Sequence, residues 1–209
     1  MTADRSIVLV GERSLLIDLA STREVHALSR WLAGSEHAGL TEDVVPASRT
    51  LFVRVSRPAD LPTLARALHD ASLTDGHDAS SSRLLELAVT YDGEDLPSVA
   101  EATGLDAAEV IRRHADREYE VAFFGFAPGL AMLSGVPSAI AIPRRDSPRL
   151  RVGAGAVAIA NAHTLVYPGG TPGGWNIIAT YRGTPLWDSR AEPPNALDVG
   201  DRVVFREAR

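Results

Sequence analysis

A chain of 209 residues, 45% hydrophobic and 23% charged, has the make-up of a soluble globular protein with a real core. Its net charge of −6 argues against nonspecific nucleic-acid binding, and no apolar run nears the roughly 20 residues of a membrane span. The absence of cysteine excludes disulfides, thiolate metal sites and a thiol nucleophile, and the first residues lack the pattern of a secretory signal, so a cytoplasmic location is expected.

The first 80 residues alternate strand and helix signals. SIVLVG and SLLIDLA read as short strands, with Gly11 in the turn between them. STREVHALSRWLAGS places Val25, Leu28, Trp31 and Leu32 at helical spacing, with Ser21 or Thr22 as cap and Gly34 as terminator. RTLFVRVS alternates Leu51, Val53 and Val55 with polar neighbours, a strand with one wet face. PADLPTLARALHDASL reads as a second amphipathic helix, with Pro58 and Pro62 near its start. The polar stretch TDGHDASSS, 74–82, is the expected linker after this ββαβα-like unit.

Beyond it RLLELAVTYDG reads as a strand, followed by two short helices, DLPSVAEATG and DAAEVIRRHADR. Asp95 and Asp106 are placed to cap them, and Gly104 breaks between. Eleven of the 17 glycines and nine of the 13 prolines lie beyond residue 120, which points to short strands joined by tight turns. YEVAFFGF, AVAIANA, TLVYP, GWNIIATY and DRVVF are the strand candidates, and a barrel or sandwich accommodates them.

All 21 basic residues are arginine, which removes a Walker lysine, a Schiff base and a Ser–Lys dyad. Neither HxH nor HExxH spacing occurs, so no dedicated metal site is expected. His114, at a helix end beside Arg112 and Arg113, reads as solvated or capping. There is no GxSxG, and Ser134 and Ser147 read as ordinary turn residues.

IPRRDSPRLRVGAG sets Arg144, Arg145, Arg149 and Arg151 within eight residues between Pro143 and Pro148. Guanidinium forks on a restrained backbone suit a bidentate grip on carboxylate, carbamate or phosphate; equally, the loop can be a solvated one paired with some of the 27 acidic residues. FFGFAPGLAML bends at Gly125 and Gly129, where Phe126 and Pro128 could line a pocket mouth. VYPGGTPGGW, 166–175, lacks a lysine and precedes a strand, so it reads as a wide hairpin loop with glycines at positive φ and Tyr167 and Trp175 at its feet.

From His114 onward the motifs fall in an ordered series: YEV, GFAPGLAML, PRRDSPRLR, GAVAIA, YP, TPGGW, PLWD and GDRVVF. In order and spacing this series resembles the bacterial carboxyltransferase-domain subunit 1 family, which includes the B-type component of 5-oxoprolinase, allophanate hydrolase subunit 1 proteins and a sporulation-kinase inhibitor. The resemblance implies an N-terminal ferredoxin-like α+β domain, residues 1–80, followed by a mainly-β cyclophilin-like barrel, residues 81–209. It implies a subunit of an ATP-dependent amide or lactam hydrolase complex, 5-oxoprolinase first and allophanate hydrolase subunit 1 second, inactive alone and paired with a homologous subunit 2 and a third, LamB/YcsF-like subunit. The alternative within the family is a regulatory module that inhibits a sensor histidine kinase. On this chain the expected catalytic residues are Arg144, Arg149 and His163, and the expected substrate contacts are Phe126, Pro128, Asn161, Tyr167, Thr171 and Trp175. Leu130, Met132, Gly153, Asn161 and His163 depart from the family pattern, along what the resemblance implies is the pocket wall.

Overall fold

The computed structural model describes residues 5–73 and 82–208, so the linker expected at 74–82 lies, but for residue 82, outside the described residues. The chain divides into two compact units, Met1–Ala79 and Ser80–Arg209.

The first unit runs β1 (Ile7–Val10), β2 (Ser14–Asp18), α1 (Thr22–Gly34), β3 (Thr41–Pro46), β4 (Thr50–Val55) and α2 (Leu61–Asp70). Its sheet is antiparallel in the order β1-β2-β4-β3. Alternation explains the packing. Leu15 and Ile17 of β2 and Leu51, Val53 and Val55 of β4 share a buried face with Val25, Leu28 and Leu32 of α1 and Leu64 and Leu68 of α2. Ser21 caps α1 by accepting from the Glu24 N–H at 3.3 Å. The buried Arg5 guanidinium donates to the Leu68 and Ala71 carbonyls at 2.9 and 2.7 Å, setting a cation at the C-terminus of α2. Strand β3 was not expected from the sequence.

The second unit continues with β5 (Leu84–Thr90), α3 (Leu96–Thr103), α4 (Ala107–Ala115), β6 (Glu118–Phe124), β7 (Ala131–Ser134), β8 (Arg149–Val152), β9 (Ala156–Ala160), β10 (His163–Val166), β11 (Thr171–Gly173), β12 (Asn176–Tyr181) and β13 (Arg202–Glu207). Seven strands close a barrel in the order β10-β7-β6-β13-β5-β12-β9, so the mainly-β expectation holds. All pairs are antiparallel except β5 with β13, the first and last barrel strands. Asp106 caps α4 through the Glu109 N–H at 2.7 Å, and Gly104 ends α3 at φ 69°.

Inward positions at period two, including Val121, Leu133, Val157, Ile159, Ile178 and Phe205, fill the interior. Their outward neighbours form a second cluster. Leu130, Ala158, Ala160, Leu165, Tyr167 and Trp175 pack on the outer wall beneath Val152 of a two-stranded β8–β11 flap. VYPGGTPGGW is therefore not a hairpin loop, because β10 and β12 pair with opposite edges of β9. The stretch crosses the outside of β9 and carries β11 on the way. Only Gly169 and Gly170 within it take positive φ, at 107° and 74°.

His114 corrects a second expectation. It is 0% exposed and projects from the last turn of α4 against Tyr119 and Phe205, with ring centroids 5.2 and 4.7 Å away. Thr164 Oγ1 donates to the Ala158 carbonyl at 3.1 Å, so it accepts from His114 Nε2 at 3.0 Å. His114 Nδ1 then accepts from the Tyr91 hydroxyl at 2.8 Å. Burial pushes the imidazole pKa down to about 3, and the ring is neutral. Unfolding exposes a histidine with an ordinary value near 6.5, so stability is full above about pH 6.5 and falls by about 1.4 kcal/mol per pH unit below it. Urea unfolding at pH 7.5, 6.5 and 5.5 is expected to show that slope, and His114→Phe is expected to flatten it at a cost of about 1–3 kcal/mol at pH 7.5. An equal slope in the variant would contradict the burial argument.

Candidate functional site

The arginine-rich segment is irregular until β8 begins, yet its backbone is fixed on both sides of Arg144. Asn176 Nδ2 donates to the Pro143 carbonyl at 2.9 Å, the Arg145 N–H donates to the Gly174 carbonyl at 2.7 Å, and the Asn161 N–H donates to the Ile142 carbonyl at 2.6 Å.

Asp95 supplies the side-chain anchor. Its expected role as the cap of α3 is not observed: the carboxylate makes no cap hydrogen bond, and Pro97 in the first turn removes one donor a cap would serve. At 3% exposure it accepts two bonds of 2.8 Å from Arg149 Nη2, one from Arg145 Nη1, and one of 2.7 Å from the Ile177 N–H. Glu94 adds a 2.8 Å ion pair to Arg149 Nε. Burial alone would lower the Arg149 pKa; the hydrogen bonds and charges of Asp95 and Glu94 outweigh it and hold the pKa above the usual arginine value. A buried carboxylate meeting its lone pairs in this way joins the start of α3, the start of β12 and the arginine segment.

Arg145 and Arg149 are thus neutralised within the chain, which is the paired-loop reading for two of the four arginines. Arg144 has no ion pair with any described residue; its guanidinium carbon lies 5.6 Å above the Trp175 ring, a contact worth about 0.5–1 kcal/mol at an exposed site. His163, half-buried, stands edge-on to Phe123 with ring centroids 6.0 Å apart. Burial lowers its pKa and the positive charge of Arg144 lowers it further, so the ring is neutral at pH 7 and able to accept a hydrogen bond or a proton. Asn161 is exposed at the β9–β10 turn with φ 51°. Arg144 lies over the Trp175 ring and close enough to His163 for its charge to act on the imidazole.

Tyr167 is buried beneath the flap, where burial raises its pKa, and Thr171 lies on β11 with a buried Oγ1 that has no hydrogen-bond partner. Leu130 and Met132 belong to the packing of the outer-wall cluster, so those two departures from the family pattern alter packing and not a pocket wall.

Strand register places Phe126 and Pro128 elsewhere. His163 opens β10 opposite Ser134, whereas Phe124 meets Ala131 at the far end of β7, so the loop 125–130 emerges at the other end of these strands. Both side chains are exposed there, Phe126 at 73%. Phe126 holds φ 71° at the centre of a three-residue turn closed by the Ala127 N–H and the Gly125 carbonyl at 2.9 Å, a strained backbone costing on the order of 1–3 kcal/mol. Beside this loop is a cleft of about 120 Å³ lined by Gly129, Tyr167, Tyr181 and Trp187 among others. Gly129 is required there, since any Cβ would collide with the Trp187 side chain. Sequence reasoning missed Asp95 as an anchor and the Trp187 wall; the only signal for Asp95 was four arginines needing counter-charge.

Replacing Asp95 with alanine strips Arg145 of its carboxylate and leaves Arg149 with Glu94 alone, and the barrel unit is expected to lose about 3–5 kcal/mol. Native-state trypsin cleavage after Arg144, Arg145 or Arg149 is expected to accelerate well beyond cleavage elsewhere in the chain. Unchanged cleavage at these sites would show that Asp95 does not hold the segment.

Comparison with known proteins agrees with this architecture. The family described as carboxyltransferase domain, subdomain C and D, matches residues 5–197. A protein of Escherichia coli O157:H7 named as the B-type component of 5-oxoprolinase is 32% identical over 211 residues, covering 94% of this chain and 93% of that one. One of the same name from Bacillus subtilis (strain 168) is 44% identical over 128 residues, covering 59% of this chain and 52%, about half, of its own length. The crystal structure of TTHA0988 superposes with a TM-score of 0.80 at 36% identity, over 94% of this chain but 40% of that one. The chain belongs to the carboxyltransferase-domain family whose curated relatives include the B-type component of 5-oxoprolinase.

Proposed function

We propose that this chain is the B-type component of an ATP-dependent 5-oxoprolinase complex, which opens a lactam to give glutamate. What carries the reading is similarity along almost the whole chain, 94% of it, to a relative that bears this name. The regulatory alternative draws no support from relatives so named. We read the four-stranded sheet with α1 and α2 as a ferredoxin-like domain and the closed barrel as cyclophilin-like, divided near residue 80, and we place the assembled complex in the cytoplasm with subunit 2 and a third, LamB/YcsF-like subunit.

In this reading Arg144 grips the carboxylate of 5-oxoproline. Its guanidinium has no counter-ion among the described residues, and the Trp175 face beneath it orients the fork. His163, held neutral, accepts a hydrogen bond or proton from the substrate side, and Asn161 adds an exposed amide. Arg149 acts from behind, by locking the segment to Asp95.

The residues present do not fit ATP. GGTPGG leads into the strands β11 and β12 and not into a helix, the N-terminus of α4 is capped by Asp106, and that of α3 has Pro97 in its first turn and the buried charge of Asp95 beside it. In this reading ATP binds another subunit, and the isolated chain is inactive.

The test is co-expression with subunit 2 and the third subunit, followed by ATP-dependent glutamate release from 5-oxoproline. Wild-type complex is expected to turn over. Arg144→Ala is expected to raise KM about 10–100-fold, the worth of a charge-assisted hydrogen bond of about 1.5–3 kcal/mol, with the complex still assembled. No turnover by the wild-type complex would overturn the function, and unaltered KM in the variant would overturn the role of Arg144.

A further inference from the structure

We infer that the loop 125–130 and the cleft beside it form a docking surface for subunit 2, an inference that rests on the subunit reading above. The first observation is the conformation of Phe126. A φ of 71° is open to glycine without strain, yet a phenylalanine occupies it and is 73% exposed. Within this chain the ring gains little burial to offset a strained backbone. Other exposed apolar side chains, such as Val8, Leu9 and Leu150, lie on strands, whose extended backbone suits them. The burial that Phe126 lacks is to be found on another polypeptide.

The second observation is the cleft, about 120 Å³ and lined by Gly129, Tyr167, Tyr181, Pro185, Leu186 and Trp187. Gly129 is three residues from Phe126, so their Cα atoms are at most about 11 Å apart. No charged side chain lines the cleft, and its volume is close to the roughly 150 Å³ that accepts a benzene ring. Such a wall suits an apolar side chain and offers no counter-charge to a carboxylate substrate. An aromatic knob beside an apolar hole is the arrangement found at the centres of protein interfaces.

The third observation is that relatives of this chain belong to larger assemblies. Relatives at up to 44% identity are named as one lettered component of an enzyme, which requires further components. In TTHA0988 the matched module is 40% of the chain, so more than half of that polypeptide has no counterpart in these residues. Subunit 2 supplies an apolar recess for the Phe126 ring and an apolar side chain for the cleft.

The experiment is isothermal titration of full-length subunit 2 from the same organism into four forms of this chain: wild type, Phe126→Gly, Pro185→Arg and Val8→Ser, each with its own thermal midpoint. Wild type and Val8→Ser are expected to bind alike. Phe126→Gly and Pro185→Arg are expected to bind at least about 30-fold more weakly, about 2 kcal/mol, without a fall in midpoint. Wild-type binding with both cleft-side variants unchanged overturns the surface and leaves the subunit reading standing. A fall in midpoint that parallels the loss of affinity also overturns it, by giving Phe126 a structural role. Failure of the wild type to bind overturns both readings.

Discussion

The barrel unit depends on one buried carboxylate. Asp95 sits at the start of α3 and draws Arg145, Arg149 and the Ile177 amide to itself, fastening a helix, a strand and a segment without regular structure. A charge so deeply buried is stable only with its lone pairs met, so the arginine segment has little freedom once the barrel closes. The same constraint sorts the arginines. Two are consumed in holding the loop, and Arg144, between two residues whose backbones are pinned, is left presenting a guanidinium on an indole face. A cation held in a fixed position without a described counter-ion is what recognition of a small carboxylate requires, because a floppy arginine would have to be ordered at binding.

The two ends of the barrel strands carry different chemistry. Near Asn161 and His163 the surface is polar and positive; near Phe126 and Trp187 it is apolar and concave. In the proposed reading a substrate carboxylate sits at the first end and a partner's apolar side chain at the second. Between them the flap seals Tyr167, Leu165 and Ala158 away from solvent, so motifs adjacent in sequence, such as YPGG and TPGGW, serve packing in their aromatic residues and spacing in their glycines. Conversely His114, polar and in a charged helix end, serves the interior through a chain of three neutral hydrogen bonds.

Much of the fold was legible because it is written locally. Alternation marked β4, short apolar runs between turn residues marked β2, β9 and β12, Ser21 or Thr22 and Asp106 marked helix starts, and Gly104 marked the break between α3 and α4. What was not legible is set by partners distant in sequence. Strands β7, β8 and β11 have four, four and three residues and take their structure from pairing across the fold, not from propensity. The segment 166–175 looked like a hairpin because nothing local reveals that β9 lies between β10 and β12. Asp95 lies 50 and 54 residues from its arginines, and His114 lies 50 from Thr164, so local context assigned one to a cap and the other to solvent. At the site, the residue types were legible while their division into holding and presenting roles was not.

The central claim is that Asp95 contributes to substrate binding only by presenting Arg144. A double-mutant cycle on the KM for 5-oxoproline in the assembled complex tests it, using wild type, Asp95→Asn, Arg144→Ala and the double variant. The expected result is that each single change raises KM and that Asp95→Asn adds nothing once Arg144 is alanine. Effects that multiply, or a wild-type KM in Asp95→Asn, would contradict it.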